Sequence, residues 1–417
     1  MAVLRVEHRC PQCGAPVTLE ETDRILACRY CRVRLYISTS GPPRYSLPAQ
    51  APAGAELVMV PYLRLRGTHF AIHSSGHPLE VRSRVLDSNF LAAPLSFVPG
   101  TLGVRPQGVK LRFATAEAGA RFLPLSRPVE DAASEAQRFS AWAESELSGG
   151  RPLHAAFIGE TASVIYLPLY LTRGAVYDAA LKRPIAKNTL QRAAELGASE
   201  PPGGYCLDFL PALCPACGWD LGGDRNSLVL HCENCGSAWR ASRDGLREMG
   251  FEAVPASDGE DARLPFWRVK ARIEGPGEVM ACLPASLRKA WDEGGAAFWL
   301  PAFRAAPRIY MRIAAQATTL QPAARGPRGA LKGGFFPASL GEADVTGALK
   351  VLLASVAQAK GRLLPLLPSA RVEPGEAALV YVPVRQRGRE LINGRMGLCI
   401  PANALRRASA GMSRAAV

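Results

Sequence analysis

The chain has 417 residues, 48% of them hydrophobic, with 50 basic and 36 acidic side chains and a formal net charge of +14. That hydrophobic fraction is ample for packed cores, and the length accommodates two to four domains. No run of eighteen apolar residues occurs, and MAVLRVEHRC leads straight into a cysteine motif, so neither a membrane-spanning helix nor an apolar signal region is expected and a soluble cytoplasmic protein is.

Residues 1–40 hold Cys10, Cys13, Cys28 and Cys31, spaced as CxxC, fourteen residues, CxxC. Two short loops joined by a hairpin, each offering two thiolates, supply the four sulfurs that a closed tetrahedral metal site accepts. Pro11 fixes the first loop, and Gly14 permits the positive φ that turns amides toward sulfur. Ile25-Leu26-Ala27 reads as a short strand entering the second loop, with Leu35 on the exit strand. Arg24, Arg29, Arg32 and Arg34, beside Arg5 and Arg9, are the one local concentration of positive charge. Such a face can sit on nucleic-acid phosphate, although a solvated surface is the plainer reading. Glu20, Glu21 and Asp23 read as solvated charges beside turns.

After a linker rich in proline and alanine, residues 55–200 read as a first α+β domain. Leu57 to Phe70 alternate apolar and polar residues, as a strand with one buried face does. His69, His73 and His77 would share a face of a helix, but the neighbouring Ser74-Ser75-Gly76 and Pro78 favour a strand running into a turn. Ala136, Phe139 and Ala143 fall at helical spacing within a helix expected from about Val129 to Leu147. Pro168 in IYLPLYL argues for an edge strand or a strand beginning, and Asp178-Ala179 for a hairpin turn.

Residues 205–248 repeat the cysteine pattern with Cys214, Cys217, Cys232 and Cys235. Pro215, Gly218, the strand Leu228-Val229-Leu230 and Trp239 stand where the first cluster has its counterparts. Here Arg225, Arg240 and Arg243 are mixed with Glu233 and Asp244. Residues 262–410 read as a second α+β domain, opening on the strand Leu264 to Ile273. PYLRLR and PFWRVK put Arg64 and Arg268 after an aromatic or aliphatic pair, and Phe298, Trp299 and Phe303 follow in the second copy. Partner surfaces use such pairs as anchors, but core strands look the same, and core is the favoured reading. Ser339 and Glu342 form a capping-box pattern ahead of Leu349, Leu352, Leu353 and Val356 at helical spacing. Pro383 again marks an edge or start, and Asn393-Gly394 is a type I′ turn signal. Residues 411–417 are a basic tail. Cys206, Cys282 and Cys399 sit among apolar residues and read as buried small hydrophobes.

The clusters lie 204 residues apart, and the correspondence continues through FLPLS and FFPAS at Phe122 and Phe335, through Pro168 and Pro383, and to Asn188 and Asn403, with the offset drifting to 215. The fold class expected is therefore α+β, a tandem duplication of a cysteine module followed by an antiparallel sheet with one helix across it.

Both clusters resemble the zinc ribbons of transcription factors, RNA polymerase subunits and bacterial adaptor proteins. The resemblance covers about forty residues at each site and implies two structural zinc ions per chain without implying a substrate; a rubredoxin-like iron site is the alternative. No phosphate loop, GxSxG or HExxH motif occurs. The charge does not single out a domain, since residues 1–205 carry 23 basic and 17 acidic side chains and residues 206–417 carry 27 and 19. The leading expectation is a non-enzymatic adaptor or scaffold with a protein partner. A nucleic-acid-binding or transcription-linked protein is the second, and an enzyme with an unconnected site the third.

Overall fold

The computed structural model describes residues 3–73, 80–115, 120–126, 152–187, 190–197, 205–242, 245–260, 262–326 and 334–405. The chain forms two compact units, one of Met1–Arg66, Asp87–Glu135 and Thr161–Pro211, the other of Gly67–Leu86, Ala136–Glu160 and Ala212–Val417. Among the described residues no helix is long and apolar enough to cross a membrane.

In the first unit β1 (Arg5–Arg9) pairs antiparallel with β2 (Pro16–Glu20), and β3 (Ile25–Ala27) with β4 (Arg34–Thr39), Leu26 facing Leu35 as the cysteine spacing predicts. Then come β5 (Arg44–Ser46), the long β6 (Leu57–His73), β7 (Glu80–Leu91), β8 (Lys110–Phe113), β9 (Ala120–Phe122) and the long β10 (His154–Leu171). β11 (Ala175–Asp178) and β12 (Arg183–Lys187) finish the sheet, and β13 (Leu207–Pro211) pairs with β4. The strand order is β12-β11-β10-β5-β8-β1-β2, with β6 joined to β10, β7 and β9. Its core gathers Leu26, Leu35, Val58, Tyr62, Leu111, Ile165 and Leu167. The unit boundary cuts β6, β7 and β10, whose remaining segments are counted with the second unit. There β6 passes β10 at Gly67, where a Cβ would run into the Ile158 carbonyl and the Phe157 ring, so only glycine permits the approach.

The second unit has a four-stranded sheet, β14 (Leu221–Gly222), β15 (Val229–Cys232), β16 (Ala238–Ser242) and β17 (Gly245–Glu248), with Leu230 facing Trp239. A seven-stranded sheet follows, from β18 (Phe251–Ala253), β19 (Ala262–Glu274), β20 (Phe298–Pro301), β21 (Gly334–Phe335), β22 (Arg371–Arg387), β23 (Glu390–Asn393) and β24 (Leu398–Pro401). Phe266, Trp267, Phe298, Trp299 and Phe303 are buried in it, as the core reading of the aromatic segments expects.

Helices cover this sheet. Leu349, Leu352, Leu353 and Val356 are buried on the helix Leu349–Val356, as their spacing predicts. The cap lies elsewhere, however: a short helix Glu342–Thr346 precedes it, and the Gly341 amide donates to Asp344 at 2.8 Å, so Gly341 and Asp344 take the place expected of Ser339 and Glu342. The longest described helix, Pro307–Leu320, was not anticipated, although Tyr310, Met311, Ile313, Ala314 and Ala317 bury one face and Pro307 sits in its first turn. The helix expected near residues 129–147 lies outside the described residues.

The architecture is a mixed α+β fold. The sheets are not purely antiparallel: β5 runs parallel to β10, β9 to β6, β18 to β22 and β21 to β19. Short segments that reach the sheet by long connections are free of the direction that a hairpin imposes. The prolines also depart from expectation. Pro168 falls between the β10 residues paired with β5, which end at Tyr166, and those paired with β11, which begin at Leu169. Pro383 falls between Tyr381, the last residue paired with β18, and Arg385, the first paired with β23. A residue without an N–H is tolerated inside such a strand where one neighbour ends before the next begins. The Asn393-Gly394 signal becomes a longer loop, because Asn393 Oδ1 accepts the Met396 amide at 2.9 Å and its Nδ2 donates to the Pro383 carbonyl at 2.7 Å. Asp178 Oδ1 likewise accepts the Ala180 and Leu181 amides, at 2.9 and 3.1 Å.

Candidate metal centres and their surroundings

Each cysteine cluster is built from two tight turns. In the first module the Cys10 amide donates to Ala15 O at 2.8 Å and the Gly14 amide to Cys10 O at 2.8 Å; the second turn repeats this with Cys28 to Val33 and Arg32 to Cys28, both at 3.0 Å. In the second module the donors and acceptors are Cys214 to Trp219, Gly218 to Cys214, Cys232 to Ser237 and Gly236 to Cys232, at 2.7 to 2.9 Å. The left-handed positions are Gly14 (φ 71°), Arg32 (62°), Gly218 (73°) and Gly236 (76°). Three are glycine, as that conformation favours; Arg32 is the exception.

These turns bring each set of four sulfurs within 4.8 Å of one another. Cys10 and Cys31 lie 3.7 Å apart, Cys13 and Cys28 3.7 Å, Cys214 and Cys235 3.7 Å, and Cys217 and Cys232 3.4 Å. Tetrahedral coordination at metal–sulfur bonds of about 2.3 Å has sulfur–sulfur edges of about 3.8 Å, so both donor sets fit a thiolate-bound ion. Thiols this close cannot all ionise together unaided. The Cys31 amide leads the contacts that lower Cys28 to about 6, while Cys31 rises to about 12 because the Val33 amide is outweighed by burial and by the sulfurs of Cys13, Cys28 and Cys10. In the second cluster, burial pushes Cys232 up to about 12. A cation among the four sulfurs removes this competition and releases the remaining protons.

The modules are anchored differently. Glu21, directly after β2, accepts from Arg64 Nε at 2.8 Å and Nη2 at 3.0 Å, and Arg64 Nη1 meets Asp87 at 2.7 Å. Both Glu21 and Arg64 are buried, and Asp23, also buried, accepts the Glu20 amide at 2.7 Å. Glu21 and Asp23 are therefore not the solvated charges expected: adjacent carboxylates look solvated in sequence, and only the fold brings Arg64 to meet one of them. In the second module His231 shares a hydrogen bond of 2.6 Å with the Tyr381 hydroxyl and stacks on Phe335 at 4.1 Å between centroids, with Phe251 edge-on at 5.3 Å. Burial lowers His231 to about 4, so the ring is neutral at physiological pH.

Of the arginines singled out in the first module, Arg29 and Arg32 are exposed on the second turn, whereas Arg24 and Arg34 are half-buried at the ends of β3 and β4. The sequence reading missed what stands beside them. Among the described residues the exposed aromatic side chains are Tyr30, at 70%, and Trp219, at 58%. Each lies on a cysteine turn, one per module, and an aromatic inside CRYC or directly after CPACG was the available signal. His69 and His73 are buried in β6, in keeping with a strand, and His77 lies outside the described residues. Cys282 is buried as expected, but Cys206 and Cys399 are exposed, and the Cys206 thiol donates to Asp208 at 3.0 Å. No protein-family model, curated protein or solved structure matches the chain.

Proposed function

We propose that this chain is a non-enzymatic zinc-binding adaptor, built by tandem duplication of a zinc ribbon and an α+β domain, that presents its metal-held turns to a protein partner. The copies are residues 1–40 with 55–200 and residues 205–248 with 262–410, followed by the basic tail. Zinc is the preferred ion because closed four-thiolate sites with this hairpin spacing serve structural zinc.

Matching registers support the duplication. Ser46 pairs with Tyr166 as Ala253 does with Tyr381, and Met59 with Phe122 as Arg263 does with Phe335. The Phe122–Tyr166 and Phe335–Tyr381 ring pairs each meet edge to face at 4.9 Å. The Ala92 amide donates to Pro61 O and the Ala302 amide to Pro265 O, each at 2.9 Å. Asn188 lies outside the described residues, so its pairing with Asn403 stays an expectation.

The observation that carries the adaptor reading is the placement of Trp219, exposed directly after the first cysteine turn of the second module. Large aromatic groups held in water on rigid turns are disfavoured for a chain that acts alone and are the usual anchors of an interface. A photocrosslinking amino acid at the exposed position 216 of the same turn, introduced in cells of the source organism with Trp219 intact, should capture a defined protein, and Trp219→Ala should abolish its co-purification. Loss of zinc binding is excluded by metal analysis of the same variant. Absence of any captured protein, or co-purification indifferent to Trp219→Ala, overturns the reading.

A further inference from the structure

We infer that the second cysteine turn of the first module is a contact site for single-stranded nucleic acid, with Tyr30 stacking on a base and Arg29 and Arg32 meeting the flanking phosphates. The inference goes beyond the adaptor reading and does not depend on it.

Three observations carry it. The Arg32 amide closes the turn on Cys28 O at 3.0 Å, so Arg29, Tyr30 and Arg32 leave one compact loop, and all three are exposed. Arg32 occupies a left-handed position at φ 62° where the second module has Gly236 at 76°. An arginine kept where glycine fits better points to a use for its side chain. Finally, acidic residues of this module are engaged away from the turn: Glu21 with Arg64, Asp23 with the Glu20 amide, and Glu7 with Lys110. A dication in four thiolates leaves two negative charges, against six arginines between Arg5 and Arg34. The corresponding turn of the second module carries Glu233, Asn234 and Gly236, neither cationic nor aromatic.

The pairing of an aromatic face with guanidinium groups selects the ligand. Phosphates alone need only the arginines, and an acidic peptide offers no succession of π faces, whereas a single strand offers both bases and phosphates. A duplex keeps its base faces stacked on each other, which leaves Tyr30 without a partner.

The test uses the zinc-loaded full chain and a fluorescent oligothymidine of about 20 nucleotides, titrated at about 50 and about 200 mM salt. Arg29→Glu with Arg32→Glu should weaken binding at least tenfold and flatten the logarithmic salt slope by about 1.4, since each single-strand phosphate contact contributes about 0.7. Tyr30→Ala should weaken binding about tenfold and leave that slope unchanged. Arg32→Gly relieves the backbone conformation while removing one charge, so it should keep both metals, bind less tightly and lower the slope by about 0.7. The assignment is overturned by absence of binding at the lower salt, by affinity indifferent to Tyr30→Ala, or by displacement with polyglutamate as effective as with unlabelled oligonucleotide. Trp219 is untouched throughout, so this result and the capture experiment fail independently.

Discussion

The two cysteine modules share a spacing, a set of turn hydrogen bonds and a sulfur geometry, yet differ in how each is fastened and in what it shows to solvent. The first is fastened by a buried carboxylate–guanidinium cluster of Glu21, Arg64 and Asp87, the second by the aromatic cage of Phe335, Phe251 and Tyr381 around His231. One shows Arg29, Tyr30 and Arg32 on its second turn, the other Trp219 after its first. The lesson is that the four-sulfur site governs only its own turns. With the sulfur geometry set by the turn hydrogen bonds, the strand behind the turns and the residues between the cysteines differ without altering it.

The hardest blow to the comparison removes a ligand. Cys13→Ser and Cys217→Ser should each halve the bound metal and loosen only their own module, because a structural zinc contributes on the order of 10 kcal/mol to the fold around it. Two zinc ions in the parent protein, with no visible absorption, are expected by metal analysis. Fewer than two ions in the fully loaded protein, or an iron–thiolate band, contradicts the zinc assignment, and loss of both metals from one substitution contradicts independent sites.

The contrast in fastening is sharpened by Arg64→Met and His231→Phe. The first removes the cation shared by Glu21 and Asp87, leaving Arg66 at 3.7 Å from Glu21, and should cost about 3 kcal/mol in urea unfolding, the low end for breaking a buried pair because one guanidinium remains. The second retains an aromatic ring among Phe335, Phe251 and Tyr381 but loses the hydroxyl hydrogen bond, for about 1–2 kcal/mol. A larger loss from His231→Phe than from Arg64→Met would reverse the description of the two anchors.

The smallest effect exchanges the left-handed residues. Arg32→Gly should stabilise the first module by about 1 kcal/mol, and Gly236→Arg should destabilise the second by a similar amount, read as opposite shifts in resistance to a chelator. Shifts of the same sign would mean that the φ difference does not govern the two turns.

Much of this was legible because it is local. The CxxC spacings, the positive φ at Gly14 and Gly218, the short strands facing Leu35 and Trp239, and the buried stripe Leu349, Leu352, Leu353 and Val356 all depend on residues a few positions apart. The candidate metal ligands were legible for the same reason. What was misread depended on distant partners: Glu21 looked solvated until Arg64 was brought to it, Pro168 and Pro383 looked like edge residues until the neighbouring strands proved to change there, and the type I′ turn gave way to a loop organised by Asn393. The helix Pro307–Leu320 carries its apolar face at the helical period, but it follows closely on the aromatic strand Phe298–Pro301, and a run this rich in apolar residues does not by itself separate helix from strand.

By itself, then, the sequence determined two four-thiolate clusters, the turns that form them, the mixed α+β class and the burial of the aromatic strands, since these follow from residue spacing and hydrophobic pattern. Only the tertiary structure decided which charges are buried together, which strands run parallel, and that Tyr30 and Trp219 stay in water while the other described aromatics are at least partly covered. The physical reason is that desolvation of a charge or a ring is set by whatever the fold packs over it, and the covering groups here come from segments far away along the chain.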